Sequence, residues 1–175
     1  MIVEFDGYTP HIAATAFVAP NAVLVGNVTV GEEASIWYGA VLRADHGEQG
    51  IVIGARSNVQ DNCVLHVSNE RGTIVGADVT VGHGALLEGC EIADGAVIGM
   101  NAVVLEAARV GARSLIAAGS TVLAGAQIPD DTMAAGLPAV VKKATTGNTR
   151  WWIEHSAAHY VERARRYREQ GLDSR

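Results

Sequence analysis

The chain has 175 residues, of which 49% are hydrophobic but only 5% are aromatic, and 20 are glycine. Its formal net charge of −6 argues against binding to nucleic acid or to an anionic membrane, because both need concentrated positive charge. Two cysteines cannot build a disulfide framework, and the N-terminus has neither the basic nor the apolar region of a signal peptide, so we expect a cytoplasmic protein.

An aliphatic residue recurs every six positions along most of the chain. The series run Val18, Leu24, Val30, Ile36, Leu42; then Ile53, Val59, Leu65; then from Val75 to Ala134, with one short step between Leu87 and Ile92. A helix would space apolar residues three and four apart, and a plain strand would alternate them. The pattern predicts a coil of short strands, in which each hexad forms one side of a prism and stacked coils pair through backbone hydrogen bonds.

Two interruptions of the period predict corner loops, one at 46–50 and the other at about 68–72. Insertions in solenoids collect near the binding face. After Pro138 the period ends, residues 139–148 form a predicted connector, and apolar residues at helical spacing predict an amphipathic helix over about 149–170. We therefore expect a repeat domain over 10–138 and a tail over 139–175, whose helix packs on one face of the prism.

The hexad pattern resembles the hexapeptide-repeat left-handed β-helix family, in which three hexads complete one triangular coil. The resemblance implies an all-β solenoid, a left-handed parallel β-helix, with a C-terminal α-helix. With three hexads per coil, Arg43, His66 and Glu88 stack in one column on neighbouring coils, about 4.8 Å apart at the backbone. His83 stands beside Asp61 in a column on another side.

His66 and Glu88 are therefore placed to share one ligand, whereas His83 would have to join them from a neighbouring chain. Two imidazoles and one carboxylate suit Zn²⁺ or Fe²⁺ with an open coordination position. The alternative is that both histidines are ordinary surface or interface residues, because this spacing is not a local motif.

Four segments, Val41 to Asp45, Ser57 to His66, Val81 to Leu87 and Ile98 to Ala102, resemble the gamma-class carbonic anhydrase family in order and spacing. The resemblance covers about residues 10–138. It implies a homotrimer that binds zinc or iron at the subunit interface, with His66 and Glu88 from one chain and His83 from the next.

The same resemblance implies roles for other residues. Arg43 and Asp45 match positions that pair across the interface, Gln60 matches a residue that holds the metal-bound water, and Asn58 matches one near the substrate. The implied reaction is attack of a metal-bound hydroxide on CO₂ to give bicarbonate.

A proton must then leave for solvent, and the acidic loop of the best-known family members is not evident. His46 on the first corner loop is a candidate, because an unperturbed histidine titrates near neutrality. The alternative is a solvated loop histidine. Tyr160 on the predicted helix either reaches the rim of the site or serves as a packing residue.

Glu88 stands where the family has a third histidine, and three explanations remain open. Glu88 ligates the metal, in which case its charge makes the ion a weaker Lewis acid and raises the pKa of the bound water. Alternatively, Glu88 pairs with Arg43 and metal affinity is poor. In the third explanation the chain has lost the metal and kept the trimer.

Three functions compete at this stage. The first is a gamma-type carbonic anhydrase, and the second is an acyltransferase that uses a loop histidine as general base. Acyltransferases of the hexapeptide-repeat class generally need a long excursion loop, which the short corner loops disfavour. The third is a metal-binding or scaffold protein without turnover.

Overall fold

The computed structural model of the protein describes residues 1–173, and the last two residues of the predicted tail, Ser174 and Arg175, lie outside them. The chain is a parallel β-solenoid of three sheets with one C-terminal helix. This confirms the fold class predicted from the hexad period.

Each sheet forms one face of the prism. The first sheet contains, in spatial order, β1 (Ile2–Val3), β4 (Val23–Gly26), β7 (Val41–Ala44), β10 (Val64–His66), β13 (Leu86–Glu88), β16 (Val103–Val104) and β19 (Thr121–Val122). The second sheet contains β2 (His11–Ile12), β5 (Val28–Val30), β8 (Ile51–Ile53), β11 (Thr73–Val75), β14 (Glu91–Ile92), β17 (Arg109–Val110) and β20 (Gln127–Ile128). The third sheet contains β3 (Phe17–Val18), β6 (Ser35–Ile36), β9 (Asn58–Val59), β12 (Thr80–Val81), β15 (Val97–Ile98), β18 (Leu115–Ile116), β21 (Thr132–Gly136) and β22 (Ala139–Ala144).

The hexad residues point into the prism and stack in register. Leu24 aligns with Leu42, Leu42 with Leu65, and Leu65 with Leu87, and all four are essentially inaccessible to solvent. Glycine follows many hexad residues because neighbouring coils approach closely there: a Cβ on Gly54 would lie 2.3 Å from the carbonyl oxygen of Gly76. The aliphatic column is thus a continuous core along the axis.

The register breaks fall where the sequence predicts corner loops. Residues 45–50 connect β7 to β8, and residues 67–72 connect β10 to β11. The short step between Leu87 and Ile92 is a tight corner at Gly89 and Cys90, between β13 and β14. Both loops follow the C-terminal ends of strands in the first sheet, where His66 also lies.

Both ends of the chain contain a β-strand that the hexad period does not predict. β1 precedes the first hexad and pairs with β4. The predicted connector contains β22, which pairs antiparallel with β21 because the chain reverses at Leu137 and Pro138. Every other named strand pair is parallel.

The predicted helix is present as α1 (Gly147–Glu169) and packs on β3, β6 and β9 of the third sheet. Its Tyr160 and Tyr167 meet the buried Trp37 edge-on, with ring centroids 5.3 and 5.1 Å from that indole. Phe17 lies 4.9 Å from the same ring. The chain's few aromatic side chains are therefore concentrated where the helix docks. Within residues 1–173 no helix has the length and apolarity needed to span a membrane.

Candidate metal centre

His66 and Glu88 occupy neighbouring positions on the first sheet. β10 and β13 pair with His66 opposite Glu88, and β7 and β10 pair with Arg43 opposite His66, which is the predicted column. His66 Nδ1 lies 3.4 Å from Glu88 Oε1, and the two side chains are 27% and 50% exposed. One imidazole and one carboxylate thus face each other at a partly open surface.

Asp45 holds the other side of the His66 ring. Its Oδ1 lies 3.1 Å from His66 Nε2, and its Oδ2 pairs with the Arg43 guanidinium of the same chain. Burial works to raise the pKa of Asp45, but hydrogen bonds from Arg43 and His66 outweigh it and the pKa lies below its ordinary value. The ionised carboxylate only accepts, so Nε2–H donates to it, and in the tautomer whose single hydrogen lies on Nε2 the other nitrogen, Nδ1, presents a lone pair to Glu88.

Arg43 is therefore bound to Asp45, while Glu88 contacts His66. Among residues 1–173, Glu88 forms no ion pair with Arg43, so the pairing considered as the second explanation for Glu88 does not occur in this chain. The expected pairing of Arg43 with Asp45 across an interface stays a prediction.

His83 lies just after β12, at the corner between the third and first sheets. Its Nδ1 is 2.8 Å from Asp61 Oδ2, so Nδ1–H donates to that carboxylate and Nε2 keeps its lone pair. The Tyr160 hydroxyl on α1 is 3.5 Å from His83 Nε2. Burial raises the pKa of Tyr160, which keeps the phenol protonated and able to donate. His83 and His66 thus each have a carboxylate behind one nitrogen and a lone pair on the other.

A buried amide pair connects His83 to the docked helix. The backbone N–H of His83 donates to Gln60 Oε1 (3.2 Å), and Gln60 Nε2 donates to Asn58 Oδ1 (3.0 Å). Asn58 Nδ2 donates to Thr80 Oγ1 (2.9 Å), which bonds in turn to Ser156 of α1. Asn58 is 0% and Gln60 5% exposed. In the single chain both amides act on protein groups.

His83 stands apart from His66 and Glu88 in one chain. His83 precedes β13 and Glu88 is the last residue of that strand. Up to about 16 Å of extended backbone therefore separates the two residues. Among residues 1–173, no three side chains of His, Cys, Asp or Glu lie close enough together to hold a metal ion. Within one chain, His66 and Glu88 therefore face each other and His83 does not join them.

The His66 and Glu88 donors fit a divalent ion. Bonds of about 2.1 Å in a tetrahedral site place two ligand atoms about 3.4 Å apart, and the observed separation is 3.4 Å. A lone pair on Nδ1 and a carboxylate oxygen repel each other unless a proton or a metal ion lies between them. A ligating histidine usually donates its other N–H to a carboxylate or carbonyl, as His66 does to Asp45 and His83 does to Asp61.

The remaining candidates lie outside this pattern. His46 is exposed on the first corner loop, and the described residues offer its ring no hydrogen bond. Burial raises the pKa of Cys63 and of Cys90 to about 12, so neither supplies a thiolate ligand. Sequence reasoning assigned no role to Asp61, although the column count had set it beside His83, and it missed Ser156 because the repeat does not locate the helix.

Comparisons with known proteins support the fold and the family resemblance. A family model described as "Bacterial transferase hexapeptide (six repeats)" matches residues 89–124. A carbonic anhydrase of Geobacillus kaustophilus is 40% identical over 168 residues, covering 96% of this chain and 91% of that protein. The carnitine operon protein CaiE of Salmonella agona is 38% identical over 164 residues, covering 94% of this chain and 82% of that protein.

Two further matches bear on length and structure. The mitochondrial gamma carbonic anhydrase 2 of Arabidopsis thaliana is 38% identical over 162 residues, covering 89% of this chain but 58% of that protein. A crystal structure titled putative acetyltransferase, from Bacillus cereus, superposes with a TM-score of 0.94 at 40% identity, covering 97% of this chain and 98% of that one.

Proposed function

Because the chain belongs to the gamma carbonic anhydrase-like family of hexapeptide-repeat proteins, we propose that it hydrates CO₂ to bicarbonate at a metal centre shared between copies of the chain in a homotrimer. The observation that carries the proposal is the 3.4 Å contact between His66 and Glu88, because it brings together two donors of a three-donor site. His83, on another face with its own carboxylate partner, supplies the third donor from the neighbouring copy.

His66, Glu88 and the neighbour's equivalent of His83 would hold Zn²⁺, with Fe²⁺ as the alternative. The bound ion supplies Lewis acidity, which makes water a nucleophile near neutral pH. Asp45 and Asp61 fix the two histidine rings, so that Nδ1 of His66 and Nε2 of His83 present their lone pairs. Glu88 contributes one negative charge that a histidine would not, so we expect the activity to need a higher pH than in a three-histidine site.

Gln60 and Asn58 position the His83 backbone, and Gln60 also lines a groove beside His83 under α1. Its side-chain amide already bonds the His83 backbone and Asn58, so we expect it to orient a small polar molecule there through the second N–H of Nε2. Tyr160 borders the same groove and donates to His83 Nε2, a contact that an ion at this nitrogen would replace.

Acyl transfer is the second candidate, favoured by the name of the Bacillus cereus structure. The corner loops of this chain, 45–50 and 67–72, are short, so they provide few residues to line a groove for an acyl carrier. Turnover of acetyl-coenzyme A by the purified protein, together with no CO₂ hydration in the presence of zinc or iron, would replace the first proposal with this one.

The test is complementation between two defective chains. His66→Ala and His83→Ala should each lose bound metal and CO₂ hydration while remaining folded. The two variants, mixed in equal amounts, form trimers at random. In about one site in four, a His83→Ala chain then supplies its intact His66 and the neighbouring His66→Ala chain supplies its intact His83. Metal content and hydration activity should therefore return to about a quarter of the wild-type level.

His11→Ala is the matched control, because His11 is an exposed histidine on the second sheet, away from the candidate centre. It should leave metal content, activity and the trimer unchanged. No recovery of metal in the mixed trimers would refute a site shared between copies, and a monomer in solution would refute it as well.

A further inference from the structure

A pair of histidines lies on α1, away from His66 and Glu88. His155 and His159 are one helical turn apart, and residues at this spacing share a helix face. His155 is half-buried and His159 is exposed. Their ring centroids are 6.4 Å apart. Two imidazoles at i and i+4 on a helix form a pair of ligands for a transition-metal ion.

The His155 ring is already oriented as a ligand. Its Nδ1 lies 2.8 Å from the carbonyl oxygen of Trp151. A carbonyl only accepts, so Nδ1 carries the hydrogen and Nε2 of the neutral ring keeps a free lone pair. The Trp151 indole stacks on this imidazole at 4.7 Å with an interplanar angle of 12°, which fixes the plane of the ring. Donation of the second nitrogen to a backbone carbonyl is the usual support for a metal-bound histidine.

The spacing of the rings suits one shared ion. With metal–nitrogen bonds of about 2.0 Å, each ring centroid lies about 3.2 Å from the ion, so two tetrahedral ligands have centroids about 5 Å apart. The observed 6.4 Å must therefore shorten by only about 1 Å. His159 can make that movement because its side chain is exposed.

His159 also connects this pair to the candidate centre. With His83, Gln60 and Tyr160, it lines a groove of about 610 Å³ between α1 and the third sheet. We propose that His155 and His159 bind a divalent transition-metal ion and collect it at the mouth of the groove that leads to His83. The collecting role rests on the proposed function, whereas the binding of the ion does not.

Binding is tested with Cu²⁺ and the fluorescence of Trp151. Imidazole pairs bind Cu²⁺ most tightly among the divalent first-row metals, and a bound ion so close to the stacked indole quenches its emission. Wild-type protein should show a saturable quench at one ion per chain, which His155→Ala and His159→Ala each weaken at least about tenfold. Mg²⁺, which prefers oxygen ligands, should have no effect.

Two controls locate the quench. His66→Ala and His11→Ala should quench like the wild type, because neither residue belongs to the pair. An unchanged Cu²⁺ response in both helix variants would overturn the proposal. So would a response that disappears with His66→Ala alone, because the ion would then lie at the candidate centre.

The collecting role is tested by the rate at which metal-free protein takes up Zn²⁺ at limiting concentration. His155→Ala should load the candidate centre several-fold more slowly than wild type and reach the same final occupancy there, while lacking the ion bound at the helix pair. Equal loading rates would overturn this role. Zinc retained in full by His66→Ala and His83→Ala would instead contradict the proposed function and leave the copper experiment decisive for the helix site.

Discussion

Replacement of Asn58 by leucine tests whether the buried amides hold the site together. Asn58 Nδ2 donates to the Val79 carbonyl (3.3 Å) and to Thr80 Oγ1 (2.9 Å), and its Oδ1 accepts from Gln60 Nε2 (3.0 Å). Leucine fills a similar volume but makes none of these bonds. The Val79 carbonyl still accepts from the backbone N–H of residue 58, and Thr80 still bonds to Ser156, so Gln60 Nε2 is the group left without its partner.

The magnitude follows from that count. A buried donor without a partner costs about 1–3 kcal/mol, and loss of the Thr80 bond adds about 0.5–1.5 kcal/mol. We therefore expect Asn58→Leu to lower the free energy of unfolding by about 2–4 kcal/mol. For a chain of this size, the corresponding fall in Tm is about 5–15 °C.

Urea unfolding and calorimetry measure the loss, and Asn69→Leu on the exposed corner loop is the matched control, expected within about 0.5 kcal/mol of wild type. Removal of both amides in Asn58→Leu/Gln60→Leu should cost less than the sum of the single losses, because the Gln60 Nε2 donor and the Asn58 Oδ1 acceptor that each single change leaves without a partner are then both removed, and only the His83 backbone N–H lacks its acceptor. A loss below about 1 kcal/mol for Asn58→Leu, or strict additivity in the double variant, would refute the reasoning.

Three further predictions address the ligand, the acid stability and the helix. Glu88→Gln should weaken Zn²⁺ binding about 100- to 1,000-fold in competition with a chromophoric chelator, because each protein ligand contributes about 3–4 kcal/mol; unchanged affinity would show that the carboxylate faces elsewhere. Hydrogen bonds from Arg113 and Arg150 lower the pKa of Asp131 to about 2, and slight desolvation opposes them. The ionised Asp131 side chain therefore stabilises the fold fully above about pH 4, and this contribution is lost as the pH falls through 2. Asp131→Asn should therefore destabilise the protein at pH 5 but not at pH 1.5 in urea unfolding, and equal effects at both pH values would contradict this assignment. Tyr167→Ala removes three aromatic contacts and should cost about 2–4 kcal/mol and expose α1 to protease, whereas Tyr167→Phe should do neither; resistance of the alanine variant to cleavage would show that other contacts hold the helix.

The hexad period was sufficient to predict the fold and the columns. Because each side of the prism takes six residues outside the corner loops, counting from Leu42 to Leu65 to Leu87 with those loops set aside aligns His66 with Glu88. The same count aligned Asp61 with His83. Register in a parallel solenoid is a one-dimensional property, and a one-dimensional pattern can specify it.

Contacts between the repeat and the tail could not be obtained in this way. Ser156 meets Thr80 across 76 positions of the sequence, and Tyr160 reaches His83 across 77. Their positions depend on where the helix docks, and the docking site is set by the shape of the aromatic cluster around Trp37 rather than by any period. β22 was missed for a related reason: its pairing partner, β21, is defined by a chain reversal that lies beyond the last hexad.

The geometry of the prism also gives a physical reason why the proposed metal centre is shared between copies of the chain. Stacking at about 4.8 Å brings two residues on adjacent coils of one column within chelating distance, so two donors of a site come together wherever they follow each other in a column. A third donor in the same column would lie two coils from the first, too far for one ion, and donors on other faces diverge from the prism axis. The third ligand therefore has to come from a surface that packs against the column from outside. In this chain His66 and His83 lie on different faces, and in the proposed trimer a neighbouring copy brings those faces together. The six-residue period that builds the core thus also determines that the proposed chemistry takes place between chains.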